Sequence, residues 1–269
     1  LTMKIHTKTY IMLASMAAGA ALCGTLSSCG NATAGEQFFS FESYSLSKVA
    51  EGADTDSLSK TMVDFDGHWE LTSEGITPVK VGDHDVTALS DTLAVLSCVD
   101  FSSGTPRMVL PEYLKDLPQE KASSDTVSPG SRMEISTTLD MLSPLAAVFR
   151  VFSYAYPEGA AHGMYSTRYV NYDVGGGRVL DLSILFNQGY GPKLRQMILE
   201  RLKESRYQLI VDDEEVSVPS NFRITADGID FVYSLYEVAP YSDGEPVVGF
   251  RAYELADLLS PTGKTLLGL

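Results

Sequence analysis

The chain has 269 residues, of which 44% are hydrophobic and 20% charged, so it can bury a sizeable core and does not have the composition of a disordered chain. A formal net charge of −15 argues against nucleic acid, whose recognition needs Lys and Arg to displace counterions. The same charge suits a soluble surface or a basic protein partner.

The elements begin with a short basic region, Met3 to Lys8, followed by the apolar run "YIMLASMAAGAALCG" and then Leu26-Ser27-Ser28-Cys29. A basic start, a short apolar run and small residues before a cleavage point form a secretory signal. The run is short and rich in Ala and Gly for a transmembrane helix. Cysteine directly after Leu-Ser-Ser matches the bacterial lipoprotein box, whereas bulky Leu22 precedes Cys23. The expectation is a lipoprotein signal over residues 1–28, lipidation of Cys29, a tether over 29–36 and membrane anchorage facing the periplasm or cell exterior. Removing residues 1–28 takes Lys4 and Lys8 and no acid, which leaves 18 basic and 35 acidic residues and a charge of −17. Cys98 then remains alone, so no intramolecular disulfide framework is expected.

A strand is expected over Phe38–Val49, then a loop rich in Asp, Ser and Gly. In "TMVDFDGHWELT" (61–72), Val63, Phe65, Trp69 and Leu71 alternate with Asp64, Asp66, His68 and Glu70, as in a half-buried strand. The period then changes: Leu89, Leu93 and Leu96 fall on one helix face, with Asp85 and Thr87 as N-cap candidates. "QEKASSDTVSPGS" (119–131) is the candidate domain boundary. Beyond it Met133, Ile135, Thr137, Leu139 and Met141 alternate onto one face of a strand. Leu145–Tyr156 is almost wholly apolar or aromatic, hence central. Pro157–Gly163 turns and Met164–Val174 returns. A helix follows over Pro192–Glu204, with Leu194, Met197, Ile198 and Leu202 on its apolar face and Pro192 in its first turn. Four acids at 212–215 read as a solvated loop or a contact for a basic partner. "NFRITADGIDFVYSLY" is a hairpin turning at Asp227-Gly228. "PVVGFRAY" is a last strand and "YELADLL" a last short helix. Hairpins rather than alternating βαβ units define an α+β fold, antiparallel sheets backed by helices on one face. Two small modules in tandem are expected, over 37–130 and 131–269.

Motifs for chemistry are sparse. The chain has no phosphate-binding G-x-x-x-x-G-K-[ST] loop, no H-E-x-x-H, no C-x-x-C and no G-x-S-x-G elbow. After signal removal His68, His84 and His162 remain, far apart, and a zinc site from them needs convergence in the fold. No cofactor is expected, and an enzyme is unsupported by any spacing.

The second half resembles a known family on four segments: "GAAHG" (159–163), "YVNYDVGGGRVLDLSILF" (169–186), "FRITADGIDFVYSLYEVAPYSDGEP" (222–246) and "YELADLL" (253–259). These are similar, in order and over roughly 110 residues, to the RsiV-like extracytoplasmic domain. That domain is the ectodomain of a lysozyme-sensing anti-sigma factor, and it also forms a non-catalytic part of a peptidoglycan deacetylase. Residues 36–150 look like the companion module that usually precedes it. The resemblance implies a binding role toward a lysozyme-like basic protein or peptidoglycan. The alternative is an envelope hydrolase or a deacetylase-associated accessory. It singles out His162, Tyr172, Glu237 and Tyr241 as ligand contacts or loop organisers. Tyr236, Glu237, Pro240 and Tyr241 read as a rigid loop whose glutamate caps nearby N–H groups.

Overall fold

The computed structural model describes residues 8–13, 38–50, 69–109, 131–157 and 160–269. A seven-stranded sheet has the order β1-β2-β3-β6-β7-β8-β9. Its strands are β1 (Lys8–Leu13), β2 (Phe38–Ala50), β3 (Trp69–Val81), β6 (Ser131–Leu142), β7 (Ala146–Tyr156), β8 (Met164–Asp173) and β9 (Arg178–Val179). Every neighbouring pair is antiparallel except β3 with β6, which run parallel. One sheet thus carries strands from both sides of residue 130. A ribbon of β4 (Val99–Asp100) and β5 (Arg107–Met108) and a meander of β10 (Phe222–Ile224), β11 (Gly228–Val232) and β12 (Val247–Arg251) complete the strands. The architecture is α+β. β1 falls inside the segment read as a signal, and the rest of that segment, with Cys29, lies outside the described residues. So do residues 61–68, including His68.

Helices cover both faces of the sheet rather than one. In β7, Ala146 and Val148 join one core while Ala147, Phe149 and Val151 join the other. Successive strand residues point to opposite faces, so a run apolar at every position needs cover on both sides. Helix α1 (Thr87–Ser97) supplies it on one side through Leu89 and Leu93. The other side takes α2 (Leu182–Leu185), α3 (Gly191–Glu204) and the meander, with Leu194, Ile198, Leu199 and Leu202 turned inward. No helix among the described residues is long and apolar enough to cross a membrane.

Some local expectations are corrected. The alternation of β6 does not run through to Met141: the register with β7 shifts between Leu139 and Met141. This bulge turns Met141 onto the α3 side, while Leu139 and Leu142 stay with the α1 side. Asp140, the extra residue, faces Arg223 at 3.5 Å. The N-cap of α1 is Val86; Asp85 sits one residue earlier and accepts from the backbone N and hydroxyl of Thr87 at 2.8 and 2.6 Å. Those bonds hold the Asp85 carboxyl below its ordinary range. Gly228 is not at positive φ; it is required because a Cβ there would stand 2.0 Å from the Phe250 carbonyl oxygen of β12. Beyond α4 (Ala252–Leu255), a further helix α5 (Pro261–Leu266) starts at Ser260, whose hydroxyl accepts from Gly263 N at 3.0 Å. Cys98 closes α1 in the left-handed region, half-buried, and burial pushes its thiol up.

Candidate functional site: a ring cluster around Tyr241

The loop between β7 and β8 is fastened by three tyrosines. Tyr156 donates its hydroxyl to Ala160 O at 3.0 Å. Gly163 packs on the ring of Tyr154, where a Cβ would lie 2.3 Å from the ring, so a larger residue would push that ring aside. Tyr241 donates its hydroxyl to Gly163 O at 2.8 Å, and Nδ1 of His162 lies 3.1 Å from the same oxygen. The His162 ring lies against Tyr241 with centroids 4.2 Å apart and planes 32° apart.

Tyr241 is the hub of this cluster. Tyr165 meets it edge-on at 6.0 Å and Tyr236 lies 5.8 Å away. Phe152 extends the row through Tyr165 at 6.1 Å. Arg132 lies over Tyr154 and Tyr156, and Arg150 over Phe152. Tyr236 is 46% exposed and has φ 63, a conformation that costs a side-chain-bearing residue roughly 1–2 kcal/mol. Glu237 braces this turn: its carboxylate accepts from Ser234 N at 2.8 Å while Glu237 N donates to Ser234 O at 3.2 Å. Strain retained at an exposed aromatic points to use of that ring.

Of the residues singled out from sequence, the fold therefore brings His162 and Tyr241 together, while Glu237 braces the turn that carries Tyr236. Tyr172 is elsewhere: fully buried in the α1-side core, donating to Asp85 O at 3.3 Å. Tyr165 and Tyr172 are an odd number of residues apart on one strand, so they face opposite ways. That parity was available in "YSTRYVNYD". In the sequence Tyr236 reads only as part of a rigid loop; its left-handed backbone and its place in the ring cluster were not legible, since no pattern announces a left-handed tyrosine. His84 binds Gly175 O through Nε2 at 2.7 Å and ties the turn before α1 to the turn after β8. In the acidic run, Asp213 pairs with Lys203, and its carbonyl accepts from Arg195. Among the described residues, no group of three or more His, Cys, Asp or Glu is placed to hold a metal.

Burial raises the phenols of Tyr165, Tyr172, Tyr190 and Tyr233 above their ordinary value, with Glu245 and Tyr241 adding to it at Tyr165. A raised folded-state value means that the neutral phenol stabilises the fold below the unfolded value near pH 10. That contribution is lost as pH rises further. Absorbance titration at 295 nm is expected to show a late tyrosine group whose ionisation coincides with alkaline unfolding; ionisation of all tyrosines near pH 10 without unfolding would contradict it.

Residues 183–251, from α2 to the end of β12, match the model of a family described as "Protein of unknown function (DUF3298)". The fold is shared with solved proteins. One is a DUF3298 family member from Bacteroides fragilis, with TM-score 0.57 and 19% identity over 85% of this chain and 96% of that one. Another is a DUF3298 family protein from Pseudomonas aeruginosa, with TM-score 0.52 and 16% identity over 82% and 94%. These spans take in strands on both sides of residue 130. No curated protein matches the chain.

Proposed function

We propose that the chain is an exported, lipid-anchored binding module of the bacterial cell envelope, and that the ring cluster around Tyr241 is its contact surface. The observation that carries this is Tyr236, an exposed ring held in left-handed backbone beside Tyr241, whose own ring packs on His162. Rigid, amphipathic rings are the side chains that anchor interfaces. A lysozyme-like basic protein is the preferred partner and peptidoglycan the second. Support comes from the RsiV-like segments and from the net charge of −15, which would steer a basic protein inward. The hydrolase reading has less support, because Nδ1 of His162 faces a backbone carbonyl already bonded to Tyr241 rather than a nucleophile. The anchor rests on Cys29 following Leu-Ser-Ser, and Cys29→Ala is the variant that would release the protein from membranes.

Calorimetric titration of the protein with lysozyme and with soluble peptidoglycan fragments tests the contact surface. Tyr236→Gly removes the ring and relieves the backbone together. It is expected to keep or raise the melting temperature while weakening binding about tenfold or more. Absence of wild-type binding to both ligands, or full binding by Tyr236→Gly, would sink the proposal.

A further inference from the structure

Away from the ring cluster, a groove of about 310 Å³ opens between α1 and the segment leading into β10. Its floor is apolar, from Leu96, Val170 and Val179, and the hydroxyl residues Thr92 and Ser220 line it beside Arg168. Arg168 is the one charged residue among those lining the groove. It pairs across the sheet with Val151, which places it on the α1 face, opposite to Tyr165.

Arg168 differs from its counterparts. Most other described arginines, Arg107, Arg178, Arg201 and Arg223 among them, are engaged by a carboxylate, a carbonyl, a hydroxyl or an aromatic ring. Arg168 is exposed and, among the described residues, makes no ion pair, hydrogen bond or ring contact through its side chain. In a chain of net charge −15, with acids abundant, an exposed guanidinium that no described acid of the chain engages, beside an apolar floor, is open to an anion from outside.

The nature of that anion follows from the surroundings. The exposed edge of β8 cannot accept a strand here, because Thr167 N is bonded to Glu245, and Tyr169 N and Thr167 O are bonded to Asn221. The volume is that of a small-ligand site, about 300 Å³ or more. One guanidinium in a negative field balances one negative charge, and its planar fork matches a carboxylate. The apolar floor suits a hydrocarbon stem.

We infer that this groove binds a small molecule bearing a single carboxylate on an apolar stem, with Arg168 gripping the carboxylate and Leu96, Val170 and Val179 packing the stem. The site is independent of the ring cluster, and its fate does not decide the reading given above.

Amide NMR titration of the full chain tests it with three probes: octanoate, neutral 1-octanol of the same chain length, and N-acetyl-leucine. Octanoate or N-acetyl-leucine is expected to give saturable shifts at Thr92, Val170 and Ser220. Octanoate stands for a fatty acid and N-acetyl-leucine for a peptide C-terminus, so their ranking identifies the source. Octanol should bind about tenfold or more weakly than octanoate if octanoate is the better carboxylate. Arg168→Gln should weaken whichever carboxylate binds by a similar factor, and Arg168→Lys less. Binding of neither carboxylate, an affinity unchanged by Arg168→Gln, octanol binding as well as the carboxylate, or shifts confined to other regions would overturn it.

Discussion

Replacing Asn171 with alanine is expected to destabilise the protein by about 2–5 kcal/mol, because two buried backbone groups would lose their partners at roughly 1–3 kcal/mol each. β8 and β10 lie side by side without pairing as strands, and two asparagines do the work of a ladder. Asn171, 2% exposed, donates its Nδ2 to Phe222 O at 2.7 Å and accepts from Ile224 N at 2.8 Å. Asn221 returns the arrangement: it accepts from Tyr169 N at 3.0 Å and donates to Thr167 O at 2.7 Å. A side-chain amide carries one acceptor and an NH₂ donor, as a peptide unit carries both roles. Asn171→Asp keeps the acceptor, loses the donor and buries a charge, so it should be no milder. Asn221→Ala should cost a similar amount, and the double variant less than the sum, since both close one seam. Urea unfolding midpoints give the energies, and hydrogen exchange at the amides of Ile224 and Tyr169 locates the opening. Losses under about 0.5 kcal/mol for both variants would refute the ladder role.

Gly75→Ala is expected to be at least as damaging, about 3 kcal/mol or more, from overpacking against backbone that cannot rotate away. Gly75 lies in β3 between Tyr44 of β2 and Thr137 of β6, at the last pair of the parallel β3–β6 ladder. A Cβ there would stand 2.3 Å from Thr137 O and 2.7 Å from Thr137 N, and φ is +150. The Tyr44 hydroxyl donates to Thr137 Oγ1 at 3.0 Å, so the three strands are locked at this point. Two controls separate crowding from conformation. Gly104 has φ +73 with nothing near its would-be Cβ, so Gly104→Ala should cost only the left-handed penalty of roughly 1–2 kcal/mol. Gly191 has open space and opens α3, so Gly191→Ala should be neutral or slightly stabilising. A melting-temperature loss for Gly75→Ala no larger than that for Gly104→Ala would mean that β3 and β6 are not so closely apposed.

Elements with a strong period were readable before any coordinates. Leu89 and Leu93, and Leu194, Ile198 and Leu202, marked α1 and α3 because a helix buries one stripe. The unbroken apolar run at 145–156 marked a central strand, but a run apolar everywhere does not say which layer lies on each side. Its corollary, cover on both faces, emerges only once α1 and α3 are placed. α5 was readable in principle, since Ser260-Pro261 is a cap followed by a first-turn proline; its short length hid it.

The candidate site was half legible. The loop carrying His162 and the segment carrying Glu237 and Tyr241 stood out as motifs, yet 78 residues separate Gly163 from its partner Tyr241. Local pattern holds no information about contacts at such separation.

The sequence by itself determined the periods of the strands and helices, the acidic charge, and the lipobox-like approach to Cys29, all of which depend on neighbours in the chain. Tertiary structure alone decided that β3 pairs in parallel with β6, that a bulge at Asp140 turns Met141 to the other core, that Tyr172 is buried while Tyr165 and Tyr236 gather around Tyr241, and that Arg168 is left unpaired. The physical reason is the same in each case. Those outcomes are set by which surfaces meet across long stretches of chain, and the period of a segment constrains its own two faces but not what covers them.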